Sequence, residues 1–242
     1  MEKAIEIKNL SKIYKDVRAV DGLSLTVKNG ELFGLLGVNG AGKTTLVKML
    51  SCLVLPTSGD AFVLGSSIIT ETDKVKQKIG ISPQETAVAK KLTVEENLDL
   101  MAGAHGFDKE KRAKKTEEMI AEFGLETVRK KAAEKLSGGW QRKLSIAMAL
   151  VSEPEVLFLD EPTLGLDVFA RRELWKVIEE LKGNVTIVLT THYMEEAENL
   201  SDRICVMKNG KIIDIGTAKE LMQKTNTDKF EDAFIKIVEE YK

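Results

Sequence analysis

Cysteine is scarce. Cys52 and Cys205 are the only two among 242 residues. They lie far apart with no CxxC spacing, so neither a disulfide framework nor a thiolate zinc site is indicated. Two reduced, mostly buried thiols are expected. Proline is nearly as rare: Pro56, Pro83, Pro154 and Pro162 each stand beside an expected element end. Repeats, low-complexity runs and long Pro/Gly/Ser linkers are missing. So is an excess of one charge, since 36 Lys and Arg face 38 Asp and Glu for a net charge of −2. That balance speaks against a general basic surface, and no nucleic-acid partner is expected. The longest apolar stretches, Leu32 to Val38 and Ile146 to Val151, fall well short of the roughly 18 residues of a spanning helix. MEKAIEIKNL has no uninterrupted apolar region to serve as a signal peptide. The expectation is a cytoplasmic chain that acts at a membrane only where a partner holds it there.

What is present is ordinary for a globular protein, with 43% hydrophobic and 31% charged residues. The length suits one large domain or two small ones with a real core. Residues 4–36 read as strands: AIEIKNL and LSLTVKNG alternate, and Asn29-Gly30 is a hairpin turn signal. ELFGLLG, VLFLD at 156–160 and VTIVLTT at 185–191 read as buried strands of the parallel-sheet type. Helical patterns separate them, including 109–123 and 171–182, the latter with Leu174, Val177, Ile178 and Leu181 on one face. ICVMKNGKIIDIG reads as a hairpin on Asn209-Gly210. The stretch from Thr217 reads as helical, with Phe230, Phe234, Ile237 and Val238 on one side. Alternating strands and helices predict an α/β core with a parallel sheet. An antiparallel sheet from the first 30 residues is expected beside it, and a helical subdomain at about 85–150 inserted between core strands.

Two motifs carry chemistry. Gly37-Val38-Asn39-Gly40-Ala41-Gly42-Lys43-Thr44 fits GxxxxGK[ST], follows an expected strand and opens an expected helix. Glycines there let backbone N–H groups wrap a phosphate without obstruction, and the helix N-terminus adds partial positive charge. Lys43 would reach the β and γ phosphates, and the Thr44 hydroxyl would face Mg2+. VLFLD ends in Asp160 and Glu161. Nucleotide sites in open α/β sheets lie at the carboxyl ends of strands. Asp160 would hold Mg2+, directly or through water, and Glu161 would polarise the attacking water, which favours hydrolysis over transfer to another acceptor. A third stretch, Leu136-Ser137-Gly138-Gly139-Trp140-Gln141, reads as a helix start with Ser137 as N-cap. Its two glycines make a second anion site plausible.

With these residues in order, the chain resembles the ATP-binding subunits of ABC transporters over nearly its whole length. LSGG looks like their signature motif. The resemblance implies a P-loop NTPase core that binds ATP and Mg2+. It assigns Tyr14 to stacking on adenine, Gly37 to Thr45 to the Walker A loop, and Gln84 to contact with Mg2+ and water. Ser137, Gly138 and Gly139 are assigned to a γ-phosphate, Asp160 and Glu161 to the Walker B acid and catalytic glutamate. Asp167 is assigned to the loop that crosses a dimer interface, and His192 to the switch that contacts the γ-phosphate. His105 has no such setting and is read as structural. Val38 departs from a frequent Pro, Trp140 from a frequent Gln, and Leu164 from a small polar residue.

THYMEEAENLSDRICVMKNGKIIDIGT, EPTLGLDVFARRELW and FEDAFIKI are similar to the ABC-2 type, which mostly serves export. The stretch after the core leaves no room for the extra barrel of sugar-importer ATPases. The resemblance therefore implies an exporter's energy-coupling subunit, with an importer ATPase and a soluble cassette of iron–sulfur cluster assembly as rival readings. Its partners would be a separate transmembrane permease and a second copy of the cassette, at the inner face of the cell membrane. The expected organisation is one ATPase domain at 1–216, with the insert carrying the signature motif, and a helical tail at 217–242.

Overall fold

The computed structural model describes residues 2–240; Met1 and the last two residues of the expected tail lie outside the described residues. In chain order the elements are β1 (Lys3–Tyr14), β2 (Val17–Lys28), β3 (Leu32–Gly37), α1 (Lys43–Leu50), β4 (Ser58–Val63), β5 (Ser66–Ser67), α2 (Thr72–Lys78) and β6 (Ile79–Ser82). Then come α3 (Val94–Ala104), α4 (Lys109–Glu122), α5 (Gly138–Leu150), β7 (Val156–Asp160), α6 (Val168–Leu181) and β8 (Thr186–Thr191). The chain continues through α7 (Met194–Leu200), β9 (Arg203–Lys208), β10 (Lys211–Gly216), α8 (Ala218–Thr225) and α9 (Phe230–Glu240). Among the described residues no helix is long and apolar enough to cross a membrane.

Two sheets organise the fold. One is antiparallel, in the order β2-β1-β4-β5; the other runs β10-β9-β3-β8-β7-β6 and is parallel except for its β10 edge. Strand alternation decides which side chains go to which face. In β7, Val156 and Phe158 join the antiparallel sheet and α1 in one core, whereas Leu157 and Leu159 join α5 and α6 in another. Both faces are covered, which is why every residue of β3, β7 and β8 is buried and their centres read as continuous apolar runs. A third cluster packs Leu36, Ile204 and Val206 against Leu221, Phe230 and Phe234 of the two last helices. Between β6 and β7 lie α3, α4 and α5, held together by Leu98, Ala102, Met119, Ile120 and Leu144. A capping box starts α3: Glu96 N–H donates to Thr93 Oγ1 (3.2 Å) and Thr93 N–H to Glu96 Oε2 (2.7 Å).

One turn differs from the sequence expectation. Asn29-Gly30 makes no hairpin, because β2 and β3 belong to different sheets. Both its residues are claimed by a distant partner: Gly30 N–H donates to Thr186 Oγ1 (3.0 Å), and that hydroxyl donates to Asn29 Oδ1 (3.2 Å). The hairpin sits earlier, at Lys15-Asp16, where Tyr14 pairs with Val17 and Lys15 takes a φ of 51°. Asn209-Gly210 does turn β9 into β10. Cys205 is buried, whereas Cys52 is only half-buried.

Candidate active site

The parallel strands β3, β8, β7 and β6 end on one side of their sheet, and each contributes at its carboxyl end. The loop after β3 wraps a cavity of about 610 Å³ lined by Asn39 to Thr45, Gln84, Glu161 and Asn209, with Val17, Arg18 and Ala19 of β2 on the far wall. Gly42 shows why glycine is needed in this loop. Its φ is 102°, and a Cβ there would lie 2.3 Å from the Ala19 carbonyl oxygen. Backbone bonds brace the loop from behind: Gly210 N–H donates to Ala41 O (3.0 Å), and Asp21 N–H to Gly210 O (2.9 Å). The Asn209-Gly210 turn therefore ties the phosphate loop to the antiparallel sheet.

Lys43 is buried, and its Nζ donates to the Gly37 carbonyl at 2.7 Å and lies 3.5 Å from Glu161 Oε1. Burial pulls the Lys43 ammonium below its ordinary value, while the charge of Glu161 pulls it back up. Thr44 Oγ1 donates to Asp160 Oδ1 at 3.0 Å, and Thr190 Oγ1 donates to the same oxygen at 2.5 Å. A hydroxyl and a carboxylate this close form a hard-oxygen pair suited to a divalent cation that also takes phosphate oxygens.

Glu161 follows Asp160 but faces another way, because its backbone turns into the left-handed region at φ 49°. Thr190 holds that turn: Glu161 N–H reaches Thr190 Oγ1 at 3.0 Å and Thr190 O at 3.1 Å. Glu161 Oε2 then meets His192 Nδ1 at 2.5 Å. The imidazole lies 4.1 Å from the ring of Tyr193, over which the Arg171 guanidinium sits at 4.4 Å. Lysine, threonine, two carboxylates and glutamine thus gather at a glycine loop, and His192, which lines a neighbouring cavity, reaches them through Glu161; the arrangement can hold a polyphosphate and aim a carboxylate beside it.

A sequence model of the family described as ABC transporter matches residues 20–164. The chain belongs to the ABC transporter family. It is an ATPase cassette of that family. It is 41% identical over 231 residues to a daunorubicin resistance ATP-binding protein, DrrA3 of Streptomyces coeruleorubidus, covering 95% of this chain and 73% of that protein. Identity is 39% over 246 residues to a probable multidrug ABC transporter ATP-binding protein, YbhF of Escherichia coli; the match takes in 99% of this chain but spans only 42% of that relative's length. A solved dimer of the cassette MJ0796, bound to ADP and Pi, superposes with a TM-score of 0.80 at 27% identity, covering 88% of this chain and 98% of that one.

Not every residue singled out in the sequence lies at the cassette's cavity. Gly37 ends β3, and its carbonyl accepts from Lys43. Val38 is largely exposed beside the loop. Tyr14, 42% exposed, is not among the residues lining the cavity; Lys12 Nζ stands 5.0 Å above its ring. Ser137, Gly138 and Gly139 are also outside that lining, at the start of α5. A Cβ at Gly139 would lie 3.2 Å from Ala170 Cβ, and one at Gly138 would lie 3.6 Å from Leu166. Ser137 occupies the N-cap position, but its hydroxyl makes no capping bond. The Asp167 carboxylate caps α6, accepting from Phe169 N–H (2.9 Å) and Ala170 N–H (3.0 Å). Sequence reading missed Val17, Arg18, Ala19, Asn209 and Thr190. Asn209 was legible only as a turn and the others carry no local motif; sheet pairing brings Val17 to Ala19 and Asn209 to the loop and Thr190 to Asp160.

Proposed function

We propose that this cassette powers a membrane exporter by binding and hydrolysing MgATP at sites shared between two copies. The observation that carries the hydrolytic part is the Glu161 carboxylate, turned away from Asp160 and held between Lys43 and His192. Gly37 to Thr45 wrap the phosphates, and Lys43 places its charge against the β and γ oxygens. Thr44 and the Asp160 behind it would hold Mg2+, with Gln84 lining the same cavity as Thr44; the ion, when bound, offsets phosphate charge. Glu161 orients and deprotonates the attacking water, and His192 fixes Glu161 from the opposite side. Tyr14, paired with Val17 of the cavity's far wall, would be the base-stacking residue.

Pairing is supported by the separation of Ser137 to Gly139 from the cavity of their own chain and by the uncommitted Ser137 hydroxyl. Beside them Phe169 is 83% exposed and Val168 59% exposed, apolar surface suited to a second copy. In a head-to-tail pair the signature helix of one chain would close the phosphate loop of the other, with Asp167 at the crossing. The export direction rests on relatives named as a daunorubicin resistance ATP-binding protein and a probable multidrug ABC transporter ATP-binding protein. A permease contact is supported by the groove lined by Leu53, Ile81, Met101, His105 and Met148, between the sheet edge and the helical segment. Leu53 stands 62% exposed there. The test of the chemistry is Glu161→Gln, which should bind MgATP while losing hydrolysis; hydrolysis at the parent rate removes Glu161 from this role.

A further inference from the structure

Arg142 has no part in the mechanism above, yet it is one of the most confined cations of the protein. It lies one turn into α5 and is 5% exposed. Among the described residues no carboxylate forms an ion pair with it. Its guanidinium donates instead to two consecutive carbonyls, Pro83 O from Nη1 and Gln84 O from Nη2, each at 2.7 Å. A buried cation satisfied only by backbone is a costly way to fill space, and an apolar side chain would pack there more cheaply. What the planar fork supplies, and an apolar chain cannot, is a fixed orientation of the Pro83–Gln84 peptide relative to α5.

Two further contacts extend the attachment. Ser145 Oγ meets Ser82 Oγ at 2.9 Å, with both hydroxyls buried. Gly80 lets the Ala149 carbonyl approach so closely that a Cβ would lie 2.2 Å from it. Residues 142, 145 and 149 form one stripe of α5, and 84, 82 and 80 descend along β6 in the opposite sense. The signature helix is therefore fastened along the edge strand that leads into Gln84. One end of the fastened unit is Gln84, which lines the phosphate cavity; the other is Ser137, at the mouth of α5.

We propose that Arg142 is a positioning residue that locks Gln84 to the signature helix, so that phosphate in the cavity of one chain sets the posture of Ser137 to Gly139 in the same chain. The signature motif serves the partner's nucleotide, so the lock passes occupancy of one site to the other. This transmission rests on the shared-site reading given above. The lock itself is internal to one chain.

The experiment uses the full chain with Arg142→Met and Arg142→Lys, each alone and combined with Gln84→Ala or Ser137→Ala. Steady-state hydrolysis, equilibrium nucleotide binding and thermal unfolding are measured for each. Arg142→Met should lower kcat about ten- to a hundred-fold while KM and nucleotide binding stay within about two-fold, because misplacement acts on the reacting geometry. Arg142→Lys keeps the charge but not the fork and should recover only part of the loss. In either the Gln84→Ala or the Ser137→Ala background, the Arg142→Met loss should shrink to less than about two-fold, since the lock then has nothing to connect. The same factor of loss in both backgrounds, or a loss that disappears when variants are assayed equally far below their unfolding temperatures, overturns the proposal. If Arg142→Met does not fold, the Arg142→Lys cycle decides by the same criteria. The shared-site reading fails separately: hydrolysis per wild-type chain that does not rise with protein concentration would overturn it, and the Arg142–Gln84 cycle would still test the lock.

Discussion

The phosphate loop and the start of α5 are both glycine-rich helix openings, yet they are finished differently. Around the loop each functional group already has an internal partner: Lys43 with the Gly37 carbonyl, Thr44 with Asp160, and Glu161 with His192. At α5 the N-cap hydroxyl has none, and its glycines only let the neighbouring α6 turn approach. A half-site whose groups are already partnered within one chain is preorganised for its ligand. A helix opening left uncommitted at the rim is one that a second molecule can complete. The contrast separates residues that build a pocket from residues offered outward.

The largest effect expected from breaking the first region is on chemistry. Glu161→Gln should slow hydrolysis about 10²–10⁴-fold, the usual worth of a general base, with MgATP binding retained by equilibrium titration. Next comes an on-or-off test of the contrast itself, made with Lys43→Ala and Gly138→Asp in separate chains. Mixing them leaves one shared site carrying both lesions and one intact, so activity should return. Pairing wild type with a chain carrying both changes spoils both sites and should leave none. The reverse pattern, in pairs verified as mixed, would mean that each chain completes its own site.

A smaller effect distinguishes the helix caps. Thr93→Ala removes the α3 capping box and should cost about 1 kcal/mol in denaturant unfolding. Ser137→Ala should cost less than about 0.5 kcal/mol, because no capping bond is lost, yet it should lower hydrolysis. Equal stability losses would mean that Ser137 caps its helix in solution.

The smallest expected effect lies in the helical segment, far from both openings. Arg129, with Lys130 beside it, holds the Glu95 carboxyl down to about 2 from an ordinary 4.5. A depressed carboxyl stabilises the fold fully above its unfolded value and loses that contribution as pH falls through the folded one. The group is largely solvated, so screening reduces the gain to about 1 kcal/mol or less. Glu95→Gln should therefore be less stable than the parent near neutral pH. The gap should close as pH drops from about 4.5 towards 2; a gap independent of pH would exclude the pairing as its source.

Much of the site could be read before folding because its residues sit in short, continuous motifs. Gly37 to Thr44 and Asp160-Glu161 each follow an apolar strand, and periodicity alone places them at strand ends. The far wall of the cavity could not be read, since Val17 to Ala19 carry no motif, Asn209 reads only as a turn, and all arrive through sheet pairing. Asn29-Gly30 misled for a related reason. A turn signal specifies a reversal, but Thr186, more than 150 residues away, decides where the chain goes next. Ser137 was legible as a helix start but not as an uncommitted one, because residue type marks a cap position and the folded geometry decides whether the cap bond forms.

The amino-acid order by itself determined which segments become buried strands, where the glycine loop opens a helix, and which acids end β7. These depend on interactions between residues near in sequence: alternation, turn strain and the need to keep side chains away from a phosphate. The tertiary structure alone decided that Thr190 turns Glu161 away from Asp160, that Arg142 is spent on the backbone of Gln84, and that the signature motif stands outside its own chain's cavity. Each outcome depends on groups far apart in sequence that the packing brings together. Burial then makes their hydrogen bonds obligatory, because a polar group deprived of water must take whichever partner the packing supplies.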